Sequence, residues 1–253
     1  MKLRFYYYTN TGKVRTNNED AILVVDKIIS EESFNECKEE IVKEDNFIFA
    51  VADGMGGHSK GEVASRLVLK TIKDHNGKMF ENTEKILQLS KKRLDQYAKE
   101  NPDALNLGSA IAGIIIKNYT AKIFNIGDCR VYRFINNKLI RLSKDHSVVE
   151  RLLSLGLIDE SQVKIHPERH IITSAIIGDL SEKIEEIYIT ETEIFDEDTF
   201  IVCSDGFWEE LESQEIIDAL KQENPCKSLL QTLDQKPLKD NVSFILINIE
   251  NYT

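Results

Sequence analysis

Four aspartates stand where predicted β-strands begin or end. Asp53 and Asp205 each end a short apolar run and precede a glycine. Asp128 lies between two predicted strands, and Asp240 precedes the last strand. A carboxylate at the end of a buried strand is held rigidly and half shielded from water, which suits a ligand of a hard cation, and the glycine allows a sharp turn that lets its carbonyl face the same ion. Each Asp-Gly pair by itself is also consistent with an ordinary turn.

Several carboxylates in one pocket would repel one another, and their pKa values would rise unless cations neutralised them. The donors are all oxygens. No cysteine pair has metal-ligand spacing, and the one histidine pair that resembles an i,i+4 metal pair, His166 and His170, is interrupted by Pro167. This donor set favours Mg²⁺ or Mn²⁺ over zinc. Two such ions about 3.5–4 Å apart can generate a hydroxide and stabilise an in-line displacement at phosphorus. The sequence therefore indicates a binuclear centre, provided that the aspartates converge.

A second acidic pair, Glu19 and Asp20, precedes a predicted strand at residues 21–25. Neighbouring side chains on an extended backbone point to opposite sides, so one can approach a metal while the other supports its water shell or the backbone. Considered alone, the segment is better explained as a charged turn. The glycines that follow Asp53 permit close backbone approach to a ligand, but no P-loop or dinucleotide-binding spacing is present, so a nucleotide-binding loop is not indicated.

The hydrophobic pattern predicts the elements that must position these residues. Residues 110–117 with 120–126, and 130–135 with 138–142, predict two hairpins that together suggest an antiparallel meander, and 242–249 predicts a last strand. Helical spacing covers residues 61–74, 83–101, 147–155 and 213–222. Residues 30–45 are polar and acidic and predict a surface loop or a short helix. Antiparallel strands in blocks, with helices outside, predict an α+β sandwich.

The composition predicts one cytoplasmic domain over residues 1–253. The 43 acidic residues exceed the 32 basic ones, a net charge of −11, which argues against a nucleic-acid or anionic-membrane surface. No apolar run is long enough to span a bilayer, and the N-terminal residues lack a signal-peptide pattern. The four cysteines are scattered, which predicts neither a disulfide framework nor a zinc knuckle.

The motifs together resemble the PPM/PP2C family of metal-dependent protein serine/threonine phosphatases, in its compact bacterial form. The resemblance runs from about residue 12 to residue 249. The motifs occur in the family's order and spacing: Arg15 with Glu19-Asp20, Asp53-Gly54-Met55-Gly56-Gly57-His58, Gly127-Asp128-Cys129-Arg130, Leu142-Ser143-Lys144-Asp145-His146-Ser147, Ser204-Asp205-Gly206-Phe207-Trp208-Glu209 and Asp240-Asn241.

The resemblance implies an αββα sandwich of two antiparallel sheets flanked by helices, with two core Mg²⁺ or Mn²⁺ ions at one end. It also implies a third, weaker ion as in bacterial members. The implied ligands are Asp53 as the bridge, the Gly54 carbonyl, Asp205 and Asp240 on one metal, Glu19 and Asp20 on the other directly or through water, and Asp128 with Asp205 on the third.

The implied reaction is attack by a metal-bridging hydroxide on phosphoserine or phosphothreonine, without a phosphoenzyme. Arg15 would clamp the phosphate, since a guanidinium can contact two of its oxygens. His58 is the candidate acid for the leaving group, because histidine titrates near neutral pH, although a surface histidine beside a glycine turn is an equal alternative. The implied partners are phosphoprotein substrates of a serine/threonine kinase, with no nucleic acid and no membrane, and the protein is expected to be a monomer.

Two other functions stay open at this stage. One is a catalytically inactive relative that binds phosphoproteins, which would have lost metal ligands. The other is a binuclear hydrolase of small phosphate esters or nucleotides. A flap is expected around residues 155–173, where His166 and His170 are interpreted as loop residues because Pro167 disfavours helix before it. Cys129 is expected to be a buried, unreactive thiol, and Trp208 to pack in the core.

Overall fold

Two antiparallel sheets packed face to face form the centre of the molecule. The computed structural model describes residues 1–55, 60–163, 165–181 and 183–250. The first sheet has the strand order β4-β1-β13-β12-β8-β9, and the second has the order β11-β7-β6-β5-β2-β3 with β10 paired to β6. The first and last strands, β1 and β13, are antiparallel neighbours inside the first sheet.

The strands are β1 (Lys2–Asn10), β2 (Ala21–Val24), β3 (Lys27–Ser30), β4 (Lys38–Lys43), β5 (Asn46–Met55), β6 (Gly108–Lys117), β7 (Thr120–Ile126), β8 (Arg130–Ile135), β9 (Lys138–Arg141), β10 (Ile176–Ile177), β11 (Tyr188–Glu193), β12 (Thr199–Cys203) and β13 (Val242–Glu250). The helices are α1 (Gly61–Asp74), α2 (Asn76–Met79), α3 (Thr83–Glu100), α4 (Val148–Ser154), α5 (Glu160–Val163), α6 (Asp205–Trp208), α7 (Ser213–Leu220) and α8 (Pro225–Leu233), with a 3₁₀ turn at Pro102–Ala104.

Three apolar layers hold these elements together. Along β5, Phe47, Phe49 and Val51 face the layer between the sheets, whereas Ile48 and Ala50 face α1 and α3 on the outer side. The helices α6, α7 and α8 cover the outer face of the first sheet. A strand that is buried on both faces reads as a continuous apolar run, which explains why β5 shows no polar alternation. The layer order is therefore αββα, as the resemblance implied.

Both predicted hairpins form, and their turns have the expected chemistry. Asn136 and Asn137 have φ values of 50° and 61°, and Asn118 and Tyr119 have the same values, as two-residue turns between twisted strands require. Helix α4 also begins as predicted, since the Ser147 hydroxyl accepts a hydrogen bond from the backbone N–H of Glu150 at 3.2 Å.

The prediction that the two hairpins form one meander is wrong. The β6–β7 hairpin belongs to the second sheet and the β8–β9 hairpin to the first. The chain changes sheet at Gly127, whose φ of 91° is the left-handed conformation that favours glycine. An added Cβ at Gly127 would also lie 2.5 Å from the Cβ of Ala110. This change of sheet places Asp128 at one end of the space between the sheets.

The segment 30–45 was also predicted wrongly. It contains the edge strand β4 (Lys38–Lys43), which pairs with β1 and alternates half-buried and exposed residues. The four charged residues of β4 are typical of a surface loop. They are also typical of an edge strand, because charged side chains prevent an exposed sheet edge from pairing with other chains.

A disulfide joins Cys37 to Cys226, so the expectation from cysteine spacing is wrong for this pair. Their Cα atoms are 6.3 Å apart, although 189 positions separate them in sequence. Spacing along a chain detects only locally paired cysteines, whereas here the fold brings the loop before β4 against α8. Cys129 and Cys203 are unpaired and buried.

Across the described residues, no helix combines the length and the apolar character needed to cross a membrane.

Candidate metal centre

The alternation along β2 and β5 directs two aspartates into the space between the sheets. Asp53 continues the face of Phe49 and Val51, and Asp20 continues the face of Ile22, which also lies in the central layer. Where the apolar residues end, these carboxylates take their place. The prediction that β5 ends at Asp53 is wrong, because Asp53 pairs with Ala110 and the strand continues to Met55.

Glycine at position 54 is needed for close packing and not for a turn. A Cβ there would overlap the carbonyl oxygen of Gly61 and lie 2.6 Å from that of Glu19. The Gly54 N–H donates to the Glu19 carbonyl at 3.2 Å, and the Ser65 hydroxyl donates to the same oxygen at 2.7 Å. Glu19 is thus fixed against β5 and the first turn of α1.

Asp20 and Asp205 each keep one buried oxygen without a hydrogen-bond partner. Asp20 is 1% exposed, and its Oδ2 accepts from the Ser204 hydroxyl at 2.8 Å. The Oδ1 atoms of Asp20 and Asp205 have no partner and no access to solvent. A buried carboxylate oxygen in this state is costly unless a cation or a proton satisfies it. These two oxygens therefore fit a hard cation.

Five aspartates converge, as their mutual effect on pKa shows. Burial first, and then the charges of Asp205 and Asp240, raise the pKa of Asp20 to about 7. Burial, and then the charge of Asp240, raise the pKa of Asp205 to about 7. A hydrogen bond with Asp53 acts in the opposite direction. Asp53 has a pKa well above the ordinary value through burial and then the charge of Asp20, with Asp205 and Asp128 adding to it. Burial and Asp205 likewise raise the pKa of Asp128.

The carboxylates are neighbours and do not form a closed cage. Within the described ranges, no three His, Cys, Asp or Glu side chains surround one point closely enough to hold a metal by themselves. Mg²⁺ ordinarily keeps several waters and takes one or two carboxylates, together with substrate phosphate, so this open arrangement suits it better than it would suit structural zinc.

Arg15 lies beside the acidic cluster. Its Nη2 donates to Oδ2 of Asp240 at 2.6 Å, and its side chain is 55% exposed. The guanidinium therefore stands at the open side of the acidic cluster, where it can reach an incoming anion. His58, the candidate acid, lies outside the described residues.

Two residues that the sequence motifs give no role also belong to the site. Asn241 accepts from the Glu19 backbone N–H at 2.8 Å and donates to the carbonyl of Asn17 at 2.9 Å, which ties the final strand to the loop that carries Arg15. Glu62, in the first turn of α1, has a buried Oε2 without a partner, and its charge raises the pKa of Glu19 after burial does. The Gly-Glu pair at the start of a helix was the available signal for Glu62.

Cys129 is fully buried, as predicted, and burial raises the pKa of its thiol well above the ordinary value. A neutral buried thiol is unreactive. The prediction for Trp208 is incomplete, because the half-buried ring packs against the core and also donates from Nε1 to the Asp128 carbonyl at 2.9 Å. His170 lies in a loop, as predicted, with Nδ1 3.2 Å from Oε1 of Glu209.

We expect the metal-free protein to lose stability as the pH rises from about 4 to 7. Folded Asp20 and Asp205 keep their protons up to a pKa of about 7, whereas an unfolded aspartate titrates near about 3.9. Between these values the folded state binds more protons, so the free energy of unfolding falls as pH rises. In EDTA, the Tm should be roughly 5 °C or more lower at pH 8 than at pH 5.

The Asp205→Asn variant is the matched control for this pH dependence and should lose part of it. Saturating Mn²⁺ should also reduce it, because the cation replaces the protons. A Tm that rises over this pH interval in EDTA would show that the carboxylates are not buried together.

The αββα sandwich with a carboxylate cluster between its sheets defines a fold with a site suited to divalent cations. The sequence profile of the Protein phosphatase 2C family matches residues 36–246. This chain belongs to the protein phosphatase 2C family.

Two curated relatives are similar over most of this chain. The serine/threonine protein phosphatase PstP of Mycobacterium tuberculosis is 25% identical over 258 residues, which cover 99% of this chain and 46% of PstP, so the chain spans about half the length of that relative. The serine/threonine phosphatase stp of Listeria welshimeri is 28% identical over 255 residues, covering 95% of this chain and 94% of stp.

Solved structures share the fold. The crystal structure of the M. tuberculosis phosphatase PstP/Ppp superposes with a TM-score of 0.83 at 25% identity, covering 99% of this chain and all of that one. A structure of the PstP catalytic domain in complex with two manganese ions has a TM-score of 0.78 at 22% identity, covering 99% of this chain and all of that one.

Proposed function

We propose that this chain is a metal-dependent protein phosphatase that hydrolyses phosphoserine and phosphothreonine. The observation that carries the proposal is the acidic cluster between the sheets, in which the Oδ1 atoms of Asp20 and Asp205 are buried without a partner. The family membership and the names of the relatives support the same activity. One domain over residues 1–253, with a flap around 155–173, is part of the proposal.

The proposed cofactors are two Mg²⁺ or Mn²⁺ ions, and a third ion where Asp128 and Asp205 meet. The manganese complex of PstP supports this choice. The residues that would hold the core ions are Asp53, the Gly54 carbonyl, Asp205, Asp240, Glu19 and Asp20. Bound divalent ions activate water as a nucleophile and neutralise charge on the phosphoryl oxygens.

The protein's own residues bind and orient the phosphate. Arg15 stands at the exposed side of the cluster, so its guanidinium can exchange the contact with Asp240 for two phosphate oxygens. The central layer excludes water behind Asp20 and Asp53, which strengthens every charge interaction in the pocket. His58 is the proposed proton donor to the leaving serine or threonine oxygen.

The remaining proposals concern partners and compartment. The substrates would be phosphoproteins produced by a serine/threonine kinase, and the protein would act as a cytoplasmic monomer. The net charge of −11 supports the exclusion of nucleic acid and anionic membranes as partners.

The test is hydrolysis of a phosphothreonine peptide, p-nitrophenyl phosphate and a nucleoside triphosphate, each with Mn²⁺ and with EDTA. We expect turnover of the peptide and of p-nitrophenyl phosphate with Mn²⁺, and none with EDTA. Turnover that survives EDTA would contradict the proposal, and so would a clear preference for the nucleotide. Absence of both turnover and Mn²⁺ binding would instead support an inactive phosphoprotein-binding relative.

Arg15→Ala should raise KM for the phosphopeptide and lower kcat/KM by about 100-fold, since a charged hydrogen-bond donor to a dianion is lost. Arg15→Lys keeps the charge without the planar pair of donors and should recover only part of this loss. Mn²⁺ affinity measured without substrate should not weaken in Arg15→Ala, because the substitution frees Asp240, a proposed metal ligand, from its ion pair. Equal kinetics for all three proteins would exclude Arg15 from phosphate binding.

A further inference from the structure

The turn at Gly127 and Asp128 is held on one side by His146. The His146 backbone N–H donates to the Gly127 carbonyl at 2.8 Å, and the Gly127 N–H donates to His146 Nδ1 at 3.0 Å. His146 is 6% exposed, and burial lowers its pKa, which keeps the ring neutral and able to accept this bond. His146 therefore fixes the turn that carries Asp128 through two hydrogen bonds.

Trp208 holds the other side of this turn. Its indole Nε1 donates to the Asp128 carbonyl at 2.9 Å. Trp208 is the last residue of α6, and Asp205 is the first, so the two lie on one face of a single helical turn. The indole therefore spans from the element that presents Asp205 to the turn that presents Asp128.

The ring itself is fixed by a buried ion pair. The guanidinium carbon of Arg130 lies 3.4 Å from the ring centroid of Trp208. Arg130 is held in turn by Asp145, with Nε 3.1 and 3.0 Å from the two carboxylate oxygens and Nη2 2.6 Å from Oδ2. Stacking on a locked guanidinium leaves the indole little freedom to rotate.

We infer that Trp208 is a positioning residue that sets the spacing between Asp128 and Asp205 and thereby the affinity of a divalent cation held by both. The inference rests on the proposed function and extends it to a residue that touches neither the cation nor the phosphate. The indole contacts the main-chain carbonyl of Asp128, and the carboxylate stays available to a cation. Two like charges would otherwise move apart when the cation leaves, so a fixed spacing lowers the cost of binding it again.

The sequence offers a precise way to delete this one hydrogen bond. Trp208 is the sole tryptophan in the 253 residues. Incorporation of benzothienylalanine in place of tryptophan would therefore change only this position, and it replaces the indole N–H by sulfur at nearly constant shape. Trp208→Phe is the second variant, which also removes the N–H and keeps an aromatic ring over Arg130.

Mn²⁺ binding without substrate is the readout, with free Mn²⁺ measured by electron paramagnetic resonance. Asp128→Asn first identifies the binding step that depends on Asp128. In the benzothienylalanine protein and in Trp208→Phe, that same step should weaken by about 10-fold, as is typical for residues that orient a metal ligand. The steps that persist in Asp128→Asn should stay within about twofold.

Tyr132→Phe is the matched control. It removes the hydroxyl that accepts from Arg130 Nη1 at 2.9 Å, so it perturbs the same guanidinium without touching the bond to Asp128. All Mn²⁺ steps should stay within about twofold in this variant.

The inference is overturned if the Asp128-dependent step is unchanged in both Trp208 replacements, if Tyr132→Phe weakens it equally, or if Asp128→Asn alters no step. An Asp128→Asn variant that alters no step would also remove the proposed third ion. None of these results affects the proposed hydrolysis, which stands or fails on its EDTA sensitivity in the unmodified protein. An equal Tm in EDTA for the benzothienylalanine protein and the unmodified protein would confirm that the affinity change does not reflect general loss of structure.

Discussion

Replacing Asp53 or Asp205 by asparagine should lower kcat/KM for a phosphothreonine peptide by about 10³-fold or more. Each substitution removes a charge from the cluster while the side-chain shape is preserved. The same substitutions should leave the Tm in EDTA at pH 8 unchanged or raise it, because both carboxyl groups have raised pKa values and repel their neighbours when ionised. The measurements are steady-state kinetics with Mn²⁺ and a thermal melt in EDTA.

The opposite signs of these two effects separate a functional carboxylate from a structural one. A structural aspartate would lose activity and stability together. Asp26→Asn is the control, since Asp26 is exposed in the turn between β2 and β3, and neither quantity should change. Turnover that persists in Asp53→Asn and Asp205→Asn would refute the assignment of the site.

Asp198→Asn should give the largest loss of stability, about 3–5 kcal/mol, with the peptide kinetics at 25 °C unchanged. Asp198 is fully buried and accepts from Arg133 Nε at 2.8 Å and from the Phe195 backbone N–H at 2.8 Å. The substitution leaves the Arg133 charge buried without its partner. For a chain of this length, the Tm should fall by about 10 °C.

The contrast with an exposed ion pair makes this prediction specific. Asp74→Asn breaks the pair of Asp74 with Arg93, whose side chains are 46% and 34% exposed, and should change the free energy of unfolding by less than about 1 kcal/mol. A similar small effect for Asp198→Asn would mean that the buried pair is replaced by water or by repacking.

Local patterns predicted the elements well because each pattern depends on neighbouring residues. The positive-φ pair at Asn136 and Asn137 and the Ser147 cap are determined within a few positions of the chain, and both form as predicted. The sheet that a hairpin joins is a long-range property. The change of sheet at Gly127 depends on how the chain packs across the whole sandwich, and no local pattern encodes it.

For the site as well, local patterns identified single residues but not their long-range contacts. The motif Asp-Gly drew attention to Asp53, but it suggested a turn, whereas the glycine allows Gly61 and Glu19 to approach β5 closely. The alternation of side chains along β5 predicts that Asp53 shares a face with Phe49 and Val51. The Cys37–Cys226 bond and the contact of Trp208 with Asp128 join distant segments, so only the folded structure reveals them.

The register of β1 with β13 indicates where the protein can be labelled or immobilised. Lys2 pairs with Glu250 at one end of the sandwich, and Asn10 pairs with Val242, two positions after Asp240, at the other. Nine residues of strand, roughly 30 Å, therefore separate Lys2 and Glu250 from the end of the sandwich that holds the pocket. A fluorophore or a resin linked through the side chain of Lys2 or Glu250 would therefore hold the pocket facing outward.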